Sequence, residues 1–313
     1  MVTTITLNPC IDKTVTVNGF TYGGTNYVED YRYDISGKGI NVSIALKNIG
    51  GNSRCLGLNY TSDGSIVTDF LNSKNVSYDF VNVNGHLRTN IKIFDKKTSV
   101  MSELNERGEV VDLKIIEQVL DKIKKSLSDT TLIVLTGSVP PGVPDDIYKI
   151  IAEIASVQKV KVIIDAHDKL LLEAIKAHPY LIKPNKDEFE ETFGEKVYTK
   201  LDIIRVARKV IAQGVSIVCV SLGKDGAMLV TQDEAFYCSG VNIEVKGVQG
   251  AGDSLVAGMC YAIEHNLSHA EMLRYGVAAA HGSLILEGTQ MCTRATFEQM
   301  LPLINVEEIK NDK

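Results

Sequence analysis

The chain has 313 residues, 44% hydrophobic and 23% charged, an ordinary balance for a globular protein long enough to bury a large core. Its formal charge of −6 excludes a broad nucleic-acid or anionic-membrane surface, so any cationic site must be local. The opening MVTTITLNPCIDKTV reads as a folded strand rather than a leader, and no apolar run approaches the roughly 18 residues needed to span a bilayer. Cys10, Cys55, Cys219, Cys238, Cys260 and Cys292 are widely spaced with no CxxC pair, the pattern of reduced core thiols in a cytoplasmic protein.

In chain order, TITLNP predicts a strand, INVSIALKNIG a helix and SRCLGL a second strand. TLIVLTG (131–137), KVIIDA (161–166) and YLIKPN (180–185) predict further strands, and Ile147, Ile150, Ile151 and Ile154 fall at helical spacing between the first two. Strands that are apolar throughout, alternating with amphipathic helices, imply a mostly parallel sheet covered on both faces. Two segments, 14–35 and 87–105, break the pattern. They alternate polar and apolar residues without helices, as expected of an antiparallel flap that could serve as a lid. With no linker, low-complexity tract or repeat, residues 1–313 are read as one domain.

The stretch VKGVQGAGDSLVAGM (245–259) puts small residues ahead of a predicted helix that begins near Asp253. It lacks the lysine of a GxxxxGK[ST] loop, and no glycine pair completes GxGxxG. Gly250, Ala251 and Gly252 nevertheless offer free amides at a helix start, where an anion is favoured. Asp253 with Ser254 then has two readings: a plain helix cap, or a base that takes the proton of an alcohol aligned with a phosphate.

Four more clusters carry similar pairs of readings. In DISGKGINV, Gly37, Lys38, Gly39 and Asn41 form either an ordinary strand-to-helix turn or a ligand contact with a cation and an amide. Asp12, at the end of TLNPCID, is either a turn acid or a ligand for sugar hydroxyls. In LIKPNKDEFE, Asn185 caps a helix or, with Glu188, helps hold Mg²⁺ through water. In SLGKDGAM, Ser221, Gly223 and Gly226 suit a tight hairpin or a nucleotide contact. His265 and His269 stand four apart, but Ser268 and Glu271 look like a capping box that breaks the helix between them, and a shared metal is not expected.

Taken in order, NPCID, GKGINV, TGSVPPG, KPNKDE, SLGKDGA and GAGDS resemble the PfkB carbohydrate kinases of the ribokinase-like superfamily, over about residues 2–302. LNPCID, GKGINV and LRTNIKI are most similar to its sugar-phosphate branch, which contains 1-phosphofructokinase and tagatose-6-phosphate kinase. The resemblance implies a three-layer α/β/α sandwich with a β-sheet lid, and a homodimer through the lids. It implies ATP and Mg²⁺, with a ketohexose monophosphate, tagatose 6-phosphate or fructose 1-phosphate, converted to the 1,6-bisphosphate. By motif, Asp253 would be the base and Gly250, Ala251 and Gly252 the anion hole. Asp12, Gly37, Gly39, Asn41, Asn90 and Ser138 would lie against the sugar, and Lys38 and Arg88 would grip its phosphate. Lys183, Asn185, Ser221, Gly223, Gly226 and Ser283 would line the nucleotide, with Glu188 organising the metal.

The chain also departs from the family pattern. Tyr27 in GGTNY stands where relatives often carry a lid arginine, and Ser36 replaces the first glycine of GGKGIN. DAHD puts His167 and Asp168 in place of Ser-Gly, Val248-Gln249 precedes GAGD in place of Thr-Val, and AAAHGS carries His281. Tyr27 keeps open a kinase of an unphosphorylated sugar or nucleoside. A nucleotide-binding regulator without catalysis is a third reading.

Overall fold

A computed structural model describes residues 1–310. Its main sheet has ten strands among the described residues. From one edge they run Val306–Glu308, Ala235–Cys238, Ala227–Val230, Ile217–Ser221, Leu181–Ile182, Lys161–Asp165, Leu132–Thr136, Val2–Thr6, Ser53–Tyr60 and Ser77–Val83. The seven strands from Ile217–Ser221 to Ser77–Val83 are parallel and the other three antiparallel. The central strands VTTIT and LIVLT are buried along their whole length, as required when helices cover both faces.

Helices Leu113–Ser126, Ile147–Val157 and Asp168–Ile175 pack side by side in one layer, and Lys38–Asn48, Ala251–Glu264, His269–Leu284 and Arg294–Met300 in the other. Ile116, Val119 and Ile123 form the buried stripe of the first helix, which Asp112 caps through the Lys114 amide. Helix Lys38–Asn48 is different, buried continuously from Gly39 to Leu46 because it is wedged between the sheet and helix Ala251–Glu264. That wedge brings the GKGIN and GAGD segments together. Gly39 is fixed by the packing, since a Cβ there would stand 2.7 Å from the Ile5 carbonyl oxygen and 2.4 Å from Thr6 Oγ1.

A second sheet, in the order Asp30–Ser36, Cys10–Val17, Arg88–Asp95, Val100–Asn105, forms the lid. It differs from the sequence expectation in two respects. The lid begins ahead of residue 14, so Asp12 is no turn acid; it lies on the lid strand Cys10–Val17. The lid is also mixed, because Cys10–Val17 pairs parallel with Arg88–Asp95. The chain between them passes through the main sheet, the long crossover that a parallel pair requires. All six cysteines are free and buried. No described helix is long and apolar enough to cross a membrane.

Candidate active site

The helix behind GAGD starts earlier than its sequence suggests, spanning Ala251–Glu264 with Gly250 as its cap. Gly250 has φ 76°, a left-handed conformation that glycine adopts without strain. The first helical hydrogen bond runs from the Ser254 amide to the Gly250 carbonyl at 2.8 Å. The amides of Ala251, Gly252 and Asp253 therefore have no acceptor within the helix. Asp253 sits in the first turn and caps nothing, which removes the bland reading of that residue. Its carboxylate instead accepts from Asn41 Nδ2 at 2.8 Å. Asn41 thus spends its amide on the acid rather than facing outward for a sugar.

Asp253 is 6% exposed. Burial pushes its carboxyl up to about 6; Lys38 pulls the other way, while Asp165 adds to the rise. Asp165, inside DAHD, matches no motif in the sequence, yet it organises the floor of the site. Its carboxylate lies 3.0 Å from Lys183 Nζ and 3.4 Å from Lys38 Nζ, and accepts from Thr136 Oγ1 at 3.0 Å. Burial alone would raise its pKa, but the two ammonium groups outweigh burial and hold it down at about 2. The Asp165 carboxylate in turn raises the pKa of Lys38. Lys183 Nζ would be 3.8 Å from a Cβ on Gly252, so Asp165 holds that ammonium beside the free amides. Asp168 has φ 52°, a left-handed position that glycine fits without strain and aspartate tolerates.

A cleft of about 760 Å³ opens between this floor and the lid. Asp12, Ser36, Gly37, Lys38, Arg88, Asn90 and Ser138 line it. Gly37 and Ser36 lie at the strand-to-helix turn, where Ser36 Oγ is 3.4 Å from Asn41 Nδ2. Asp12 accepts from Asn90 Nδ2 at 3.0 Å and is ion-paired to Lys92 at 2.8 Å. Lys92, 6% exposed, was missed by the sequence reading. It stands two residues beyond Asn90 on the same strand, so strand alternation puts it on the same face. Arg88 is braced by the Asn8 carbonyl at 3.2 Å, Asn90 Oδ1 at 3.2 Å and the Glu106 carbonyl at 3.1 Å. Ser138 Oγ accepts from Asn8 Nδ2 at 3.3 Å. Tyr27 is 82% exposed and does not line this cleft.

At the start of helix Lys186–Phe193, Asn185 and Glu188 form a reciprocal capping box, each side chain accepting from the other residue's amide at 2.8 Å. Glu188, in the first turn of that helix, is half-buried, and one oxygen of its carboxylate accepts the Asn185 amide. Ser221 bridges Asn185 in parallel register, and Gly223 and Gly226 turn the chain between Ile217–Ser221 and Ala227–Val230. The hairpin reading of SLGKDGAM is thus realised. Ser283 corrects the expectation of a nucleotide contact. It is 1% exposed, and its hydroxyl is taken up by Ser254 Oγ at 2.6 Å and the Cys292 amide at 2.7 Å. His281 Nε2 accepts from the Val241 amide at 3.1 Å and Nδ1 donates to the Val277 carbonyl at 2.9 Å, tying down the start of the loop that leads to GAGD. Ser268 caps helix His269–Leu284 through the Glu271 amide, but Glu271 turns to Arg274 instead of completing a box.

Mg²⁺ suits this arrangement. It commonly keeps several waters and takes one or two carboxylates plus substrate phosphates. Glu188 is the half-exposed carboxylate able to hold it through water. The free amides of residues 251–253 and the buried Lys183 beside them suit a polyphosphate.

Comparison with known proteins agrees with this geometry. Residues 5–296 match the pfkB family carbohydrate kinase. The chain is 34% identical to a 1-phosphofructokinase of Bacillus subtilis, over 98% of this chain and 99% of that protein. It is 31% identical to a D-tagatose-1-phosphate kinase of Bacillus licheniformis, over 91% and 92%. The fold superimposes on phosphofructokinase-2 from Escherichia coli, solved with substrates and products, with a TM-score of 0.90 at 24% identity, covering 96% of this chain and 98% of that one. The chain belongs to the pfkB family of carbohydrate kinases and is an ATP-dependent sugar kinase with a ribokinase-like core and a lid.

Proposed function

We propose that the chain transfers the terminal phosphoryl group of ATP to a ketohexose monophosphate, giving the 1,6-bisphosphate, with fructose 1-phosphate as the first acceptor to test. The observation that carries this reading is a buried acid, Asp253, in the same helical turn as three unpaired amides, hydrogen-bonded to Asn41 of the helix whose first residue, Lys38, lines a cleft with Arg88 and Asp12. Relatives named for fructose and tagatose 1-phosphates, each above 30% identity, support the acceptor class.

In this reading Asp253 takes the proton of the acceptor hydroxyl, and its raised pKa brings it closer to the operating pH of a general base. The amides of Ala251, Gly252 and Asp253, with Gly250 shaping the turn, bind the charge that develops on the transferring group. Phosphoryl transfer needs little covalent help, so positioning and charge are sufficient. Lys183, fixed by Asp165, adds positive charge beside Gly252. Asp12 and Asn90 orient the sugar hydroxyls, Ser138 and the Gly37 turn border the sugar, and Arg88 binds the phosphate it already carries. Lys38 shares its charge between Asp165 and the acceptor. Asn185, Ser221, Gly223 and Gly226 border the nucleotide, and Mg²⁺ held through Glu188 would screen the phosphate charge.

The lid supports a homodimer as well. By the two-residue alternation, the face opposite Asp12 carries Tyr31, Tyr33, Ile91, Ile93 and Leu104, and Leu104 is 60% exposed. Sedimentation of Leu104→Glu against the parent chain tests this. A shift of the parent dimer toward monomer in the variant is expected, and a parent chain that sediments as a monomer would refute it.

The function is tested by coupled detection of ADP release with fructose 1-phosphate, tagatose 1-phosphate, tagatose 6-phosphate, ribose and adenosine. Turnover with one or more of the phosphorylated ketoses is expected. Turnover of ribose or adenosine alone would establish a free-sugar or nucleoside kinase. ATP binding without transfer to any of them would establish a regulator.

A further inference from the structure

One side chain joins the lid to the segment entering the anion-hole helix. Gln249, immediately before the Gly250 cap, accepts from Lys92 Nζ through its Oε1 at 2.6 Å and donates through its Nε2 to Glu103 Oε1 at 3.4 Å. Lys92 and Glu103 face each other across the lid ladder formed by Arg88–Asp95 and Val100–Asn105. Opposite charges at such positions ordinarily pair with each other. Here a carboxamide stands between them, and only a group that accepts and donates at once can satisfy both a cation and a carboxylate.

The position of the bridge gives it a consequence. Lys92 and Glu103 line the acceptor cleft, while Gln249 lines a second cleft of about 1010 Å³ between the lid and residues 244–249. Lys92 is also the ion-pair partner of Asp12 at 2.8 Å. An unbroken chain therefore runs from Asp12, the candidate ligand of the sugar hydroxyls, through Lys92 and Gln249 to the cap of the helix that bears Asp253. A shift of the lid relative to that helix lengthens this chain.

We propose that Gln249 is a positioning residue that sets the register between the lid's acceptor ligands and the base. Its carboxamide holds Lys92, and through it Asp12, against the start of the anion hole. The candidate nucleotide residues Asn185, Ser221, Gly223 and Gly226 make no hydrogen bond to this chain of side chains. This role rests on the acceptor assignment above, so the test has one arm that needs no substrate.

The variants are Gln249→Met, which keeps the volume and removes the carboxamide, and the exchange Gln249→Glu with Glu103→Gln, which restores an acceptor for Lys92 and a donor toward residue 249. Steady-state kinetics with the accepted sugar phosphate should show the acceptor KM rising about tenfold in Gln249→Met, with the ATP KM changed less than about twofold. The exchanged pair should recover most of the loss. In the ligand-free protein, amide hydrogen exchange in Cys10–Val17 and Arg88–Asp95 should quicken in Gln249→Met while Leu132–Thr136 is unchanged. Equal movement of both KM values, or unaltered lid exchange, would overturn the proposal. Should the parent chain turn over no sugar phosphate, the exchange arm alone decides it, and failure of the functional reading stays separate from failure of the bridge.

Discussion

The two walls of the cleft are built differently. The floor, where helices Lys38–Asn48 and Ala251–Glu264 meet the ends of parallel strands, is buried and preorganised: Asp165 fixes two lysines, and Asn41 fixes the base. The lid wall stands on a four-stranded sheet with an exposed outer face, and reaches the core in part through long polar side chains such as Lys92 and Arg88. The contrast assigns tasks. Charge that must not reorganise during transfer belongs in the floor, whereas ligands that must admit and release a sugar belong on an element that can move.

The largest effect expected is at the floor. Asp165→Asn leaves Lys183, 4% exposed, charged and without its partner, which should cost about 3–5 kcal/mol in urea unfolding and also impair turnover. A cost near that of a surface substitution would mean that the two walls do not differ as described. On the lid side, Arg88→Ala should leave stability nearly intact and raise the acceptor KM about 10- to 100-fold, with a far smaller effect on the ATP KM. Equal effects on both substrates would remove Arg88 from the acceptor phosphate.

A subtler test separates catalytic from structural demands on the base. Burial lifts Asp253 from its ordinary 3.8 to about 6, so the folded state holds a proton that the unfolded state loses between those values. Stability is therefore surrendered as pH rises from about 4 to 6, and the cost is complete above 6, at most about 3 kcal/mol. Asp253→Asn should accordingly melt a few degrees above the parent chain at pH 7.5, with the gap closing toward pH 4. A gap that is independent of pH would place the stabilisation elsewhere.

The same contrast explains what could be read from the residues. The floor's motifs are local: small residues before a helix, and a strand followed by NxxE, announce themselves within ten positions. Asp165 did not, because its partners Lys38 and Lys183 come from two distant segments, and only the sheet brings them together. The lid was visible as alternation, but its parallel pairing was not, since that follows from chain routing rather than from composition. Lys92 was within reach, two positions past Asn90 on the same strand. Gln249 was seen only as a departure, because its partners lie on two lid strands more than 140 residues away in sequence. Ser283 shows the opposite error, a motif position whose side chain the packing consumes.

The most direct test is the turnover of Asp253→Asn, measured by coupled ADP release with the accepted sugar phosphate, beside its ATP affinity by equilibrium titration. ATP binding close to that of the parent chain is expected, with a loss of about 10²- to 10⁴-fold in kcat, the usual contribution of a general base. A variant that turns over at the parent rate would contradict it, and the buried acid at the start of the helix would need another explanation.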